Sequence, residues 1–151
     1  MLFGSGGTSE MGETGELGKF VKDYAHGETV FRENTSGKEM YVIYSGRIRL
    51  YKDRPGNRSM HLATLKAGDF FGEMALVDQS PRSATAVADE DTKLLVLDEA
   101  KFLYLLRNQP HFALAIMHRL SDRLREADVA LAKRARHPAG RKQARGKAGR
   151  S

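Results

Sequence analysis

The sequence predicts a mainly β domain, a sandwich or a barrel, that is followed by helices. Between residues 27 and 98, short runs rich in β-branched and aromatic residues recur between turn residues, which is typical of a sandwich or barrel. After Asp98 the apolar spacing changes to the helical period. The length of 151 residues and the apolar content of 40% suit one domain with a modest core.

The strand candidates lie close together along the chain. Residues 40–44 and 47–51 flank the dipeptide Ser45-Gly46 and predict two strands around a tight turn. The second strand alternates basic and apolar residues, so we expect it to be half exposed. The other predicted strands are residues 29–31, 60–65, 83–88 and 92–97.

Both ends of the chain differ from the β region in composition. Residues 1–18 contain six glycines and predict a flexible leader. The spacing of Leu17, Phe20, Val21 and Tyr24 then predicts a short helix. Residues 19–132 form the predicted domain, and residues 133–151 form a basic tail that we expect to be disordered. The tail carries a charge of +8, whereas residues 1–132 carry −2, so a nucleic-acid interaction would depend on the tail alone.

Two helices are predicted after the β region. Asp98 is a candidate cap of the first, and Pro110 suits the first turn of a second that ends near Arg136. Apolar residues in the second helix follow the 4-3 spacing of a coiled coil between residues 113 and 131. We define these as the seam: Ala113, Met117, Leu120, Leu124, Ala127 and Leu131. The seam predicts a parallel homodimer, and the alternative is an amphipathic helix that covers its own domain.

Residues 71–86 do not have the pattern of an ordinary strand or helix. Gly72 marks a turn or a close approach, and a single helical turn over residues 73–76 would direct free N–H groups towards an anion. Arg82 adds a planar cation that suits phosphate, whereas Glu73 would have to accept from a hydroxyl group. The pattern indicates a ligand with one phosphate and a nearby hydroxyl, and the alternative is a Glu–Arg ion pair within a loop.

The same stretch closely resembles the phosphate-binding cassette of cyclic nucleotide-binding domains, as in bacterial cAMP receptors and kinase regulatory subunits. The family pattern is roughly F-G-E-x-A-L, a variable loop, then P-R-x-A-T. The matching residues are Phe71-Gly72-Glu73, Ala75-Leu76, Pro81-Arg82 and Ala84-Thr85. The resemblance implies an eight-stranded antiparallel β-roll, jelly-roll-like, followed by two C-terminal helices. One departure is Asn34, where the family often has glycine, but asparagine tolerates a positive φ.

The resemblance also implies a role for each cassette residue. Glu73 would accept from the ribose 2′-hydroxyl, and Gly72 would allow the backbone to approach closely. Met74 and Ala75 would offer backbone N–H groups to the cyclic phosphate, and Arg82 would pair with an exocyclic oxygen.

The identity of the base is less constrained. Ser83 follows the cassette arginine, where cAMP-selective eukaryotic members often have alanine and cGMP-selective ones threonine, but bacterial cAMP receptors also carry serine. We therefore expect cAMP, with cGMP as the alternative. Candidate base contacts are Leu62, Arg123 and Asp128, although Leu62 also suits a core position and Asp128 a solvated surface.

Other functional classes find little support. The chain has no cysteine, and its five histidines lack metal-ligand spacing, so we expect neither a metal site nor an enzyme. No apolar run approaches the ~20 residues of a membrane span, and no signal peptide is visible, which fits a cytoplasmic protein.

Two functions remain open at this stage. The first is a stand-alone cyclic nucleotide sensor that switches conformation on binding and acts on a separate, unknown protein partner, because no DNA-binding domain follows the last helix. The second is a nucleic-acid-binding protein that uses the tail of residues 133–151, with the β-roll as a scaffold that binds no nucleotide.

Overall fold

The computed structural model describes residues 17–136. These residues belong to two compact units that divide between Ala115 and Ile116, and each unit is described by itself. The predicted leader, apart from its last two residues, and the tail beyond residue 136 lie outside the described residues.

The first unit is built on two four-stranded antiparallel sheets. One sheet has the strand order β1-β8-β3-β6, and the other has the order β2-β7-β4-β5. The strands are β1 (Val21–Tyr24), β2 (Thr29–Phe31), β3 (Met40–Ser45), β4 (Arg47–Arg54), β5 (Arg58–Lys66), β6 (Phe70–Phe71), β7 (Thr85–Ala88) and β8 (Thr92–Leu97). The predicted eight-stranded β-roll is confirmed.

Apolar side chains from the two sheets meet in one core. Ile43 and Leu94 come from one sheet, Ile48 and Ala86 from the other, and all four are fully buried. The alternation of basic and apolar residues along β4 explains this, because successive side chains of a strand point to opposite faces. The expectation that β4 is half exposed is therefore correct.

The turn between β3 and β4 does not make a hairpin. The two strands lie in different sheets, and β4 pairs instead with β5 and β7. Gly46 has a φ of +100°, and a Cβ there would lie 2.6 Å from the Thr92 Cα. The tight turn is thus confirmed, but the chain passes from one sheet to the other at this glycine. Strand pattern could not reveal this, since alternation does not specify the partner strand.

The helix predicted from Leu17 to Tyr24 is wrong for most of its length. Gly18–Phe20 form a single 3-10 turn, and Val21–Tyr24 form strand β1, which pairs with β8. Pairing with an existing strand outweighs the helical spacing, because four apolar residues supply too few turns for a stable helix.

The described chain contains three α-helices from the cassette onwards. They are α1 (Met74–Val77), α2 (Glu99–Asn108) and α3 (Pro110–Arg136). Asp98 caps α2, as predicted, and its side chain accepts from the Lys101 N–H at 2.8 Å. The two C-terminal helices of the predicted fold are confirmed, and α3 continues four residues past the predicted domain end at 132. None of the described helices is long and apolar enough to cross a membrane.

Candidate functional site

Residues 71–86, which we call the cassette, connect β6 to β7 through one turn of helix. Gly72 has a φ of +76°, which only glycine adopts readily, and α1 starts two residues later. The predicted helical turn is present, shifted by one residue. Within it the Ala75 N–H donates to the Gly72 carbonyl at 3.2 Å, so this donor already has a partner.

The cassette lines a cavity of about 300 Å³ in the first unit. All six predicted ligand-binding residues line it, namely Gly72, Glu73, Met74, Ala75, Arg82 and Ser83. Further walls come from the cassette residues Phe71, Ser80, Pro81 and Ala84, and from Phe31 of β2 and Leu50 of β4. The cavity therefore combines apolar walls with a cationic group, a combination that suits an organic anion.

Arg82 is the cationic residue among those that line this cavity, and it is only 5% exposed. Its Nη1 donates to the Gly72 carbonyl at 3.2 Å, while its Nε has no hydrogen-bond partner among the described residues. Buried polar groups are nearly always hydrogen-bonded, so the unpaired Nε leaves this cavity-lining residue one acceptor short. An anion in the cavity would supply one.

The loop between β2 and β3 fixes the backbone of Arg82. The Arg82 N–H donates to the Thr35 carbonyl at 2.9 Å, and the Asn34 N–H donates to the Arg82 carbonyl at 2.7 Å. Asn34 has a φ of 69°, as its tolerance of this region allows. Gly37 of the same loop leaves room for the guanidinium, because a Cβ there would lie 2.6 Å from Arg82 Cζ.

Lys52 and Glu33, which we call the Lys52 cluster, contact two of the residues that follow Arg82. Lys52 Nζ donates to the Ser83 carbonyl at 3.0 Å and lies 3.3 Å from the Glu33 carboxylate, which is 10% exposed. The Glu33 N–H donates to Thr85 Oγ1 at 2.9 Å. The Asp53 N–H holds the pKa of Glu33 below its usual range; burial opposes this shift, and Lys52 adds to it. Glu33 therefore stays ionised as the partner of Lys52.

Aromatic rings lie beneath the Arg82 guanidinium. Arg82 Cζ lies 4.2 Å from the ring centroid of Phe31 and 5.6 Å from that of Tyr41. Burial raises the pKa of the Tyr41 phenol most, Glu39 raises it further, and Arg82 opposes the rise. Tyr41 therefore remains a neutral ring at physiological pH.

Sequence reasoning missed Phe31, Gly37, Leu50 and Lys52 as neighbours of the cassette. Their positions depend on the pairing of β7 with both β2 and β4, which brings those strands beside the cassette. Gly37 alone left a signal, because it lies within a polar loop, where glycine often marks a close contact.

The candidate base contacts are less well supported by position. Leu62 lies on β5, is 45% exposed and does not line the cavity, so its alternative assignment as a core residue is wrong. Arg123 and Asp128 belong to the second unit. Among the described residues, no group of three or more potential ligands could hold a metal ion.

The second unit contains the rest of α3, and large apolar side chains on it are exposed. Met117, Leu120, Leu124 and Leu131 of the seam are all exposed, and so is Val129 outside the seam. The polar contacts that this unit makes along its own surface include the ion pair between Arg125 and Asp122.

Comparison with known proteins matches the cavity-bearing part of the chain. A family model described as a cyclic nucleotide-binding domain matches residues 21–109. The cyclic AMP receptor protein of Thermus thermophilus is 42% identical over 108 residues, which are 72% of this chain and 50% of that protein. A cAMP-dependent protein kinase regulatory subunit of Blastocladiella emersonii is 36% identical over 85 residues, 56% of this chain and 21% of that protein.

A solved structure agrees with these matches. The crystal structure of Thermus thermophilus catabolite activator protein superposes with a TM-score of 0.65 at 37% identity, covering 89% of this chain and 62% of that one. The chain thus spans about half the length of the cyclic AMP receptor protein that it resembles. Because the family model covers more than half of the sequence and contains the cassette, the chain belongs to the family of cyclic nucleotide-binding domains.

Proposed function

We propose that the cavity binds a cyclic nucleotide and that the chain is a regulatory sensor rather than an enzyme. The observation that carries this proposal is the buried Arg82 guanidinium, which lines the cavity with its Nε unpaired. A cyclic phosphate supplies one negative charge and exocyclic oxygens that can accept from this group. The chemistry required is binding alone, which fits the regulatory relatives that the chain resembles.

The cassette residues take the roles that the family resemblance implies. Arg82 pairs with an exocyclic phosphate oxygen, and the Met74 and Ala75 N–H groups face the same phosphate. The Ala75 N–H exchanges its 3.2 Å bond to Gly72 for one to the ligand. Glu73 accepts from the ribose 2′-hydroxyl, because a carboxylate would repel a phosphate.

The preferred ligand is cAMP, and cGMP is the weaker alternative. The names of the relatives support cAMP, since one is a cyclic AMP receptor protein and another a cAMP-dependent kinase regulatory subunit. Ser83 lines the cavity with an exposed side chain and could donate to either purine. Arg123 and Asp128 remain candidate base contacts, whereas Leu50 replaces Leu62 as the apolar candidate because it lines the cavity.

A homodimer through residues 113–131 forms part of the same proposal. Four seam residues with large apolar side chains are exposed in the single chain, and burying their exposed apolar surface would favour a dimer. Ligand binding would then bias a two-state arrangement of the chain, and a separate protein partner would read that state. Sedimentation at micromolar concentration tests the dimer, and a monomer with and without cAMP would reject it.

The nucleic-acid alternative has no comparable support. It relies on the basic residues from Lys133 onwards, most of which lie outside the described residues. Lys133, Arg134 and Arg136 occupy the last turn of α3, where cations favour the negative end of the helix dipole. These three therefore have a structural explanation that needs no nucleic acid.

The decisive experiment is a calorimetric titration of the full chain with cAMP. Replacing Arg82 with alanine leaves the phosphate desolvated and unpaired, so we expect a loss of about 2–5 kcal/mol of binding free energy. Arg49→Ala is the control, because Arg49 pairs with Asp89 at 3.2 Å and does not line the cavity. Unchanged affinity in Arg82→Ala would reject the proposed function.

A further inference from the structure

Three aromatic rings pack together beneath the guanidinium of Arg82. The ring centroids are 5.6 Å apart for Phe31 and Tyr41, 5.8 Å for Phe31 and Phe71, and 5.2 Å for Tyr41 and Phe71. All three distances lie in the range of favourable aromatic pairs. We call these three residues the aromatic cluster.

The two sheets both contribute to the aromatic cluster. Tyr41 of β3 and Phe71 of β6 are paired across one sheet and nearly fully buried, whereas Phe31 ends β2 in the other sheet. Phe31 presents the nearer ring, since its centroid lies 4.2 Å from Arg82 Cζ. The Phe31 ring packs against the rings of Tyr41 and Phe71, so it has little freedom to move. Contact with the Arg82 guanidinium therefore costs little further side-chain entropy.

Aromatic rings, rather than a carboxylate partner, lie against the Arg82 guanidinium. Among the described residues, the ion pairs involve other side chains, and the Arg82 guanidinium donates to the backbone carbonyl of Gly72. A carboxylate would cancel the charge of the guanidinium, whereas the negative face of a neutral ring attracts the cation without neutralising it. The full charge thus stays available to a ligand.

We propose that Phe31, assisted by Tyr41, is a positioning residue that holds the Arg82 guanidinium through its ring electrostatics and thereby sets the affinity for the ligand phosphate. This inference rests on the proposed function, because it concerns how the same cavity holds its anion. Phe31 acts through Arg82 and also lines the cavity. The competing explanation is that Phe31 only fills space, in which case the electrostatics of its ring are irrelevant.

Fluorinated phenylalanines separate these explanations, since each added fluorine weakens the negative ring face while the ring keeps almost the same shape. We would incorporate mono-, di- and trifluorophenylalanine at position 31 of the full chain and titrate each protein with cAMP. The dissociation constant should rise stepwise, by about tenfold in total, as expected for a desolvated cation–π contact. The same substitutions at Phe102, whose nearest described ring is Phe112 at 6.1 Å, should leave the affinity unchanged. A flat series at position 31 would overturn the proposal.

A second measurement on the ligand-free chain keeps the inference separate from the proposed function. The Arg82 Nε–H proton should show an upfield ring-current shift by NMR, and Phe31→Leu should reduce it, because Phe31 is the nearer of the two rings. A spectrum in which this proton is unaffected by Phe31→Leu would refute the contact. A clear shift in a wild-type chain that binds no cyclic nucleotide would refute the proposed function while supporting the Arg82–Phe31 contact.

Discussion

In the cassette a charged side chain is buried, whereas in residues 116–136 of α3 large apolar side chains are exposed. Arg82 is 5% exposed, while Leu124 is 67% exposed. The first arrangement is held within one chain by the β2–β3 loop and the aromatic cluster. The second lacks partners in the described part of its own unit, and an exposed apolar row is typical of a protein interface. The contrast separates the cavity that we propose as the ligand site from the surface that we propose as the dimer interface.

The largest expected effect concerns the exposed region. Leu124→Glu places a charge on the seam in both copies of the proposed dimer, so we expect its dissociation constant to rise at least about a hundredfold. Sedimentation velocity over a concentration series measures this. Val129→Glu is a matched control, because Val129 is 56% exposed on the same helix but lies outside the seam. Equal effects of the two substitutions would place the interface elsewhere.

An intermediate effect is expected in the cassette from Gly37→Ala. The added methyl group would displace the guanidinium of Arg82, because the Cβ would lie 2.6 Å from its Cζ. We expect the affinity for cAMP to fall about tenfold, or about 1.4 kcal/mol, measured by calorimetry. Gly18→Ala serves as the control, since no atom lies within 4 Å of a Cβ at that position. Wild-type affinity in Gly37→Ala would show that Arg82 can bind the ligand from a different position.

The smallest effect should come from Lys52→Met. This change removes the bond to the Ser83 carbonyl and the ion pair with Glu33 but leaves Arg82 and its rings in place. Because the Lys52 side chain is half exposed, we expect only about a threefold loss of cAMP affinity. Lys93→Met removes an exposed ion pair with Asp23 on the other sheet and should have no effect on binding. A loss as large as that of Gly37→Ala would mean that the Lys52 cluster contributes as much as the loop that holds Arg82.

The fold was predictable from sequence where local pattern was sufficient. Strand β8 was predicted with its observed ends, residues 92–97, because turn residues flank its β-branched and aliphatic run. The separation of β3 and β4 into different sheets was not predictable, since alternation within each strand does not show that the chain changes sheet at Gly46. Helical spacing over residues 17–24 was misleading because strand pairing determines the structure of that segment.

The candidate site was predictable for the residues that are contiguous in sequence. The cassette residues line one cavity as the family resemblance implied, although their roles towards a ligand stay proposals. Phe31 and Lys52 come from distant strands, and their contacts with Arg82 and Ser83 arise only when the sheets assemble. Lys52 donates to the backbone carbonyl of Ser83, which a residue of any type would supply, so no sequence motif indicates this hydrogen bond.

Thermal unfolding of the wild-type chain with a panel of cAMP, cGMP and cyclic dinucleotides tests the central claim most directly. At 100 times its dissociation constant a ligand stabilises the folded state by about 2.7 kcal/mol. We predict that cAMP raises the unfolding midpoint by roughly 10 °C, that cGMP raises it less at the same concentration, and that Arg82→Ala loses the response. A chain that shows no shift with any of these nucleotides, or an equal shift in Arg82→Ala, would contradict the assignment of the cavity as a cyclic nucleotide site.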